Sequence, residues 1–287
     1  MIGTVTICGV GLIGGSYALA LRKAGFAGRI LGVSSARTLE AARQGGVIDE
    51  GVTLEEGIPR ADLIYLAQPI SRILQLLPAV AALRAPHALV TDAGSTKSVI
   101  MRRALELIPG DYVLGGHPMA GKETRGVEAA SADLFQGRTY VLTPGSAQTM
   151  ESPIAREFAG LLEKIGCGVI LLDADTHDRA VAFTSHLAQL ASTSLATTVA
   201  NALGKPELVQ TAGPALREMT RVAMSSYDLW RDILATNQAE VLHALDQYIA
   251  TLQNIRGAVS QGEAESYFAK GEFLARRLRG DLPNSSK

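Results

Sequence analysis

Residues 4–16 read TVTICGVGLIGGS, and this segment sets the architecture of the first half of the chain. Thr4–Cys8 has the composition of a short buried strand, and the glycines that follow lead directly into a helix. In such a unit Gly9 permits the tight turn, Gly11 lets the backbone approach a pyrophosphate, and Gly14 allows the helix to pack closely on the sheet. The N-terminus of that helix supplies N–H donors and a positive partial charge. The segment therefore predicts a dinucleotide-binding site.

The end of the second predicted strand lacks the acidic residue that usually accompanies such a loop. An NAD-specific site carries Asp or Glu about 20 residues after the glycines, where it bonds the ribose 2′-hydroxyl. Here Ser34 stands at that position, followed by Ser35 and Arg37. The two hydroxyls can donate to a 2′-phosphate and the guanidinium can pair with it, although Arg37 also fits a solvated residue that opens the next helix. We expect NADP to be favoured over NAD.

Around this segment, the first half alternates short apolar runs with amphipathic ones, which is typical of βαβ units and a parallel sheet. The predicted strands cover residues 4–8, 29–33, 62–67, 87–91, 112–115, 139–142 and 168–172, with helices over 12–24, 39–45, 70–83 and 96–107. We expect an α/β fold, in which an N-terminal doubly wound sheet of the Rossmann type (residues 1–172) is followed by an all-α dimerisation domain (residues 173–287).

The second half shows helical periodicity to about Arg279 and no further strand-like run. Asp175 is predicted to cap a long helix that ends near Leu203, and later helices are predicted over 207–224, 227–259 and 263–278. The long helix is built mostly from Ala, Ser, Thr and Leu, and such small side chains let helices approach closely. We expect it to be buried between the helical domains of a homodimer.

Composition excludes several classes of protein. The chain has 287 residues, of which 47% are apolar and 19% charged, with a net charge of −1. A chain with this many apolar residues is not disordered. A net charge this close to zero does not indicate binding to nucleic acid or to an anionic membrane. The charge-free segments carry too many polar groups for a membrane helix and lack a signal-peptide pattern. Cys8 and Cys167 fit neither a disulfide framework nor a zinc site, so we expect a cytoplasmic protein without metal.

Two motifs are predicted at the carboxyl ends of strands, where ligands bind in open α/β sheets. Residues 92–97 read DAGSTK and residues 115–123 read GGHPMAGKE. We predict that His117 lies on an exposed loop, where a neutral imidazole can accept a proton from a substrate hydroxyl as hydride leaves the same carbon. Ser95 can orient that ring or the hydroxyl, or cap the following helix. Lys97 and Lys122 are expected to be solvated.

Several motifs together resemble the prephenate/arogenate dehydrogenases of tyrosine biosynthesis. The resemblance rests on GVGLIGGS at 9–16, DAGSTK at 92–97, GGHPMAGKE at 115–123, SHL at 185–187, REMTR at 217–221 and LWRD at 229–232. It spans nearly the whole chain in order. It implies an NAD(P)-dependent dehydrogenase that oxidises the ring hydroxyl of prephenate or arogenate with loss of the ring carboxylate, and it implies a helical dimerisation domain with the substrate between the domains.

The resemblance also implies the roles of individual residues. His117 is the hydrogen-bond acceptor for the ring hydroxyl, and Ser95 orients His117 beside the nicotinamide. The implied substrate-binding residues are Arg221, which binds a carboxylate, Glu123, which gates or polarises the pocket, His186, Gln189 and Trp230. At Gln189 the prephenate-type pattern commonly has a second histidine, so the choice between prephenate and arogenate stays open. The expected cofactor-binding residues are Gly9, Gly11, Leu12, Ile13, Gly14, Ser34, Ser35, Arg37, Pro69, Asp92 and Ser95.

Two alternatives remain at the level of the sequence. One is another Rossmann dehydrogenase, of the β-hydroxyacid or imine-reducing kind, which resembles the first 100 residues but does not account for the HPMAG motif followed by the TR and WRD segments. The other is a module that binds NADP without catalysis, which has no need for a histidine such as His117 at this position.

Overall fold

The structure, a computed structural model, describes residues 1–122 and 124–281. Compact packing divides the chain into two units, Met1–Gln238 and Ala239–Lys287. Both sheets and every site residue described below lie in the first unit, whereas the second consists of helices. The expected domain boundary between residues 172 and 173 stays a prediction.

A five-stranded parallel sheet forms the centre of the first unit, with strand order β3-β2-β1-β4-β5. Its strands are β1 (Thr4–Cys8), β2 (Arg29–Val33), β3 (Glu50–Gly51), β4 (Leu63–Leu66) and β5 (Leu89–Asp92). Four of them were predicted, whereas β3 has only two residues and carries too short a pattern to detect. The order reverses direction beside β1, so the carboxyl ends of β1 and β4 flank the crevice in which such sheets bind ligands.

Helices cover both faces of this sheet. They are α1 (Leu12–Lys23), α2 (Ala36–Gln44), α3 (Leu54–Gly57), α4 (Ile70–Leu83), α5 (Ser98–Leu105) and α6 (Pro153–Ile165). On one face α1 and α6 enclose a core that includes Tyr17 and Phe158, and on the other α4 and α5 enclose a core that includes Ile73 and Ile100. The expected α/β fold of the Rossmann type followed by helices is confirmed.

A second sheet holds the later strands in the order β6 (Leu114–Pro118), β7 (Thr139–Pro144) and β8 (Gly168–Leu171). β6 is antiparallel to β7, and β7 is parallel to β8. A bridge between Val90 and Val113 places β6 alongside β5. Because β6 extends to Pro118, the prediction of a strand ending at residue 115 was wrong.

The helical half differs from the prediction at four places. Asp173, rather than Asp175, caps its first helix, since its side chain accepts a hydrogen bond from the Thr176 N–H. The predicted single helix is divided into α7 (Ala174–Val181), a π-helical turn (Ala182–His186) and α8 (Leu187–Leu203). The predicted helix over 207–224 is divided into two short helices and a 3-10 turn, and the predicted helix over 227–259 is interrupted at Asn237. The remaining helices are α9 (Pro206–Val209), α10 (Pro214–Thr220), α11 (Tyr227–Thr236), α12 (Gln238–Gln261) and α13 (Glu265–Leu278).

None of the helices in the described ranges combines the length and the apolar character that a membrane crossing requires.

Candidate active site

The glycine loop between β1 and α1 has the backbone geometry that a bound pyrophosphate requires. Gly9 has a φ of 101°, which favours glycine, and a Cβ there would collide with the carbonyl of Ala67. A Cβ at Gly14 would collide with the carbonyl of Gly9, so this glycine permits the close approach of helix and turn. A Cβ at Gly11 would meet no atom within 4 Å, and no side chain caps the helix that begins at Leu12. The loop therefore presents an open backbone and uncapped N–H groups to a ligand.

The other predicted cofactor residues lie at the same edge of the sheet. Ser34 follows β2 directly, and Ser35 caps α2 by accepting a hydrogen bond from the Thr38 N–H. Arg37 is exposed in the first turn of α2. Pro69 is the residue before α4, at the carboxyl end of β4. The residue types and positions fit a dinucleotide along this edge, and Arg37 is available to a charged group at its ribose end.

Asp92 and Lys97 form a buried ion pair where β5 ends. The Lys97 side chain is fully buried, so the expectation that it is solvated was wrong, whereas Lys122 is exposed as expected. The ammonium donates to Asp92 Oδ2 and, at 2.7 Å, to the Gly116 carbonyl. The Asp92 carboxylate also accepts from the N–H groups of Gly94 at 2.8 Å and Gly116 at 3.3 Å. The pair thus joins the end of β5 to the strand that carries the histidine.

His117 is a buried strand residue, so the prediction of an exposed loop was wrong. It lies in β6 opposite Val141 of β7, and the residue is 7% exposed. The glycines before it are required by packing, since a Cβ at Gly116 would collide with the Asp92 carbonyl. Burial, together with the rings of His177 and His186 and the ammonium of Lys97, holds the pKa of His117 well below its usual value. The imidazole is consequently neutral and able to accept a proton.

Two further side chains lie directly behind His117. Its Nδ1 is 2.8 Å from His177 Nε2, and His177 Nδ1 is 2.7 Å from Asp178 Oδ1. Burial acts to raise the pKa of Asp178, but hydrogen bonds from His177 and from the backbone N–H groups of Ser98 and Lys97 lower it overall. In the described part of the chain Ser95 forms no hydrogen bond with His117, which bonds to His177 instead. The catalytic role of Ser95 stays a prediction.

The predicted histidine of the SHL motif, His186, is buried next to the same cluster. Its Nδ1 lies 3.4 Å from the amide nitrogen of Asn237, which also donates to the Asp178 carbonyl at 2.7 Å. Trp230 packs edge-on against the imidazole at 5.8 Å between ring centres. Burial lowers the pKa of His186 to about 4. His117, His186 and Trp230 therefore lie in one region. His177 and Asp178 of α7 and Asn237 connect His117 to His186, which contacts Trp230.

The remaining predicted residues are less directly connected to this cluster. Gln189 is buried one turn after His186, and its amide donates to the Thr193 hydroxyl at 3.2 Å. Arg221 is exposed and begins a 3-10 turn that contacts α8. Glu123 lies outside the described residues. Within the described ranges, no three His, Cys, Asp or Glu side chains are grouped as a metal site requires.

Sequence comparison assigns this arrangement to a known family. The pattern described as the prephenate dehydrogenase nucleotide-binding domain matches residues 17–180, and that of the prephenate dehydrogenase dimerization domain matches residues 173–271. The chain belongs to the prephenate dehydrogenase family. It is 33% identical to prephenate dehydrogenase of Bacillus subtilis, over 99% of this chain and 77% of that one. It is 34% identical to prephenate dehydrogenase of Lactococcus lactis, over 98% and 79%.

Solved structures of family members superpose along nearly the whole chain. Prephenate dehydrogenase of Aquifex aeolicus, in complex with hydroxyphenyl propionate and NAD+, matches with a TM-score of 0.88 and 27% identity over 97% of this chain and 99% of that chain. Arogenate dehydrogenase of Synechocystis matches with a TM-score of 0.78 and 30% identity over 97% and 98%. The resemblance inferred from the motifs and the expectation of an NAD(P)-dependent dehydrogenase are confirmed.

The alternative of a β-hydroxyacid dehydrogenase has weaker support. A 3-hydroxyisobutyrate dehydrogenase of Mycobacterium tuberculosis matches with a TM-score of 0.55 at 17% identity, over 88% of this chain and 94% of that chain. At that identity the match shows only a shared fold.

Sequence reasoning missed the residues that support His117. The motifs quoted above assign no role in the site to His177, Asp178 or Asn237. One signal was available, because His177 and Asp178 are adjacent in the middle of a short helix. Neither side chain, however, is near His117 in the sequence.

Proposed function

We propose that the protein catalyses the oxidative decarboxylation of prephenate or arogenate, with NADP favoured over NAD as the cofactor. The observation that carries this proposal is His117, a neutral, buried imidazole placed beside the carboxyl end of β5. The glycine loop lies at the carboxyl edge of the same sheet. A hydroxyl donor and a hydride acceptor can therefore meet at one end of the sheet.

In the proposed reaction the cofactor accepts a hydride and the protein accepts a proton. A bound nicotinamide supplies the acceptor for the hydride that leaves the carbinol carbon. His117 accepts the proton of the ring hydroxyl at Nε2, and the bond from the ring to its carboxylate breaks to release carbon dioxide as the ring becomes aromatic. The low pKa of His117 keeps this nitrogen unprotonated at neutral pH. Ser95 is proposed to contact the hydroxyl or the nicotinamide.

The substrate-binding roles follow from the family resemblance and the positions of the side chains. Arg221 is proposed to bind a substrate carboxylate as a bidentate partner. His186, Gln189 and Trp230 are proposed to line the pocket, and Glu123 to gate or polarise it. Because Gln189 replaces a histidine of the prephenate-type pattern, both prephenate and arogenate remain as substrates to be compared.

The cofactor preference is supported by Ser34 and by the exposed guanidinium of Arg37. No carboxylate occupies the position of Ser34, so a 2′-phosphate would meet no repulsion there. NAD+ is bound in the structure of the Aquifex aeolicus relative, and we propose that this chain uses both cofactors with a preference for NADP.

We propose that the protein is a homodimer in the cytoplasm. Most of α8 is exposed or half-exposed in the single chain, although it is built from small and apolar residues. An apolar cavity of about 560 Å³ lies along it, lined by Ala196, Val199, Leu203, Val209 and Leu216 among others. The matched dimerization domain includes this region. A partner subunit would remove these surfaces from water.

The test compares turnover of both substrates with both cofactors in His117→Asn and in the unmodified enzyme. General-base assistance contributes roughly 10²–10⁴-fold, so kcat is expected to fall by about that factor while substrate affinity persists. His87→Asn is the matched control, because His87 is an exposed histidine paired with Asp62. A His117→Asn enzyme whose kcat stays within about threefold of the unmodified value would refute the proposal.

Arg221→Ala separates binding from chemistry. A carboxylate contact exists in the ground state and in the transition state, so this substitution is expected to raise KM far more than it lowers kcat. The opposite pattern, with KM unchanged and kcat reduced, would contradict a binding role for Arg221.

A further inference from the structure

A chain of three side chains leads away from the proposed base toward the interior of the protein. It runs from His117 through His177 to Asp178, with hydrogen bonds of 2.8 Å and 2.7 Å. His177 is fully buried and Asp178 is 2% exposed. Neither His177 nor Asp178 belongs to the residues that the family resemblance placed in contact with substrate.

The donors and acceptors along this chain determine where each proton lies. The Asp178 carboxylate is ionised and can only accept, so His177 Nδ1 must carry the hydrogen. A neutral imidazole then has an unprotonated Nε2, which accepts the hydrogen bond from His117 Nδ1. With its hydrogen on Nδ1, neutral His117 has a free lone pair on Nε2. That nitrogen is the one available to a substrate hydroxyl.

We propose that His177 is a positioning residue, which, held by Asp178, fixes the tautomer of His117 so that its Nε2 is the proton acceptor. The proposal rests on the proposed function of His117 as the base. It assigns no contact between His177 and the substrate. The strand position of His117 fits this role, because it places the buried ring of a β6 residue against His177 of α7.

Asp178 is itself held in a single orientation. Its Oδ1 accepts from the Lys97 N–H at 2.6 Å, and its Oδ2 accepts from the Ser98 N–H at 2.9 Å. The amide of Asn237 donates to its backbone carbonyl at 2.7 Å. Two backbone N–H groups and His177 therefore fix the carboxylate before any ligand binds, and Asn237 fixes the backbone of the same residue, so the chain of hydrogen bonds is preorganised.

The charges around His117 favour this neutral arrangement. Burial disfavours a cation on His117 most strongly, and the ring of His177, the Lys97 ammonium and the ring of His186 act in the same direction, so the pKa of His117 is lowered. The Lys97 ammonium is itself paired with Asp92. His117 is therefore neutral in the free enzyme and has a lone pair for the proton of the substrate hydroxyl. The arrangement parallels the way in which a buried aspartate sets the histidine tautomer of a serine protease triad.

The direct test is ¹⁵N NMR of the histidine rings in the free enzyme at neutral pH. The chain has five histidines, and the spectrum of each single variant identifies one of them. We expect His117 and His177 both to carry hydrogen on Nδ1 and to have an unprotonated Nε2. A His117 ring with hydrogen on Nε2, or a His177 ring protonated on both nitrogens, would overturn the proposal.

Two substitutions of His177 give the functional test. Asn places its amide near the former Nδ1 and leaves His117 without its acceptor, whereas the longer Gln places an amide oxygen near the former Nε2. Loss of tautomer control costs up to about 10⁴-fold in a serine protease triad. We expect His177→Asn to lower kcat at least about 10-fold with KM within about twofold, and His177→Gln to recover most of the loss.

The same spectra control for a structural effect. The His177→Asn protein is expected to be folded, with His117 in a mixture of tautomers, while His87→Asn removes only the signals of His87 and leaves turnover unchanged. A folded His177→Asn enzyme that keeps kcat within about threefold of the unmodified value would overturn the proposal. Failure of the proposed function is a separate result, because it requires His117→Asn itself to remain active.

Discussion

The buried ion pair of Lys97 and Asp92 gives a prediction whose size can be worked out from its contacts. Lys97→Met keeps most of the length of the side chain and removes its charge, which leaves Asp92 as a buried carboxylate without its ammonium partner. Breaking a buried pair in this way costs about 3–5 kcal/mol. Asp92 keeps two backbone donors, from Gly94 and Gly116, so we take the lower end, about 3 kcal/mol. The Gly116 carbonyl also loses its donor at 2.7 Å, which adds about 1 kcal/mol.

The expected loss in the free energy of unfolding is therefore about 4 kcal/mol, a large fraction of the roughly 5–15 kcal/mol of a typical protein. Urea denaturation at a fixed protein concentration measures this loss. In the double variant Lys97→Met, Asp92→Asn, neither residue of the pair carries a charge, and the new amide can donate to the Gly116 carbonyl. We expect it to be clearly more stable than the single variant.

The matched control is Lys23→Met. Lys23 pairs with Asp133 at the surface, and both side chains are about 60% exposed, so this substitution is expected to cost no more than about 1 kcal/mol. The reasoning would be refuted if Lys97→Met cost no more than Lys23→Met. It would also fail if the double variant were as unstable as the single one.

Three further predictions concern the cofactor, acid stability and assembly. Ser34→Asp is expected to move the ratio of kcat/KM values from NADP toward NAD, because a carboxylate repels the 2′-phosphate; comparable values for both cofactors in the unmodified enzyme would contradict this. The His186 pKa of about 4 lies below its unfolded value, so the unfolded state binds the proton first and stability is lost as pH falls from 6.5 toward 4. We expect His186 to contribute about 2.5 kcal/mol to the decrease in the free energy of unfolding between pH 7.5 and 4.5. If the His186→Asn protein lost as much stability over this pH range, His186 would not be its source. Light scattering should give a dimer that Ala196→Glu converts to a monomer; a monomer of the unmodified chain at micromolar concentration would refute the assembly.

Local sequence predicted the elements whose signals lie within a few residues of one another. β1 and β2 have the predicted limits, and α4 runs over the predicted residues 70–83. The turn at Gly9 could be inferred from the glycine motif that follows β1. The motif is informative because the positive φ and the close packing at Gly9 admit no larger residue. These features depend on neighbouring residues, so periodicity and turn chemistry are sufficient to detect them.

The strand that carries His117 could not be inferred in the same way. Residues 115–118 read GGHP, a composition typical of a loop. Pairing with β7 makes them a strand, and the glycines are needed because Asp92 and Tyr140 leave no space for a Cβ at Gly116. A strand formed by such residues is a consequence of its partners rather than of its own propensity.

By itself, the sequence determined the family and the Rossmann-type fold and singled out His117 as the candidate base, because short contiguous motifs carry these signals. Only the tertiary structure decided how that histidine is held. His177 lies 60 residues from His117, and Asp178 is anchored by backbone groups 80 residues away. Lys97, a residue type that is usually solvated, is buried because Asp92 and Gly116 supply its partners. Burial and hydrogen bonding between distant residues depend on how the elements pack, and no local pattern records them.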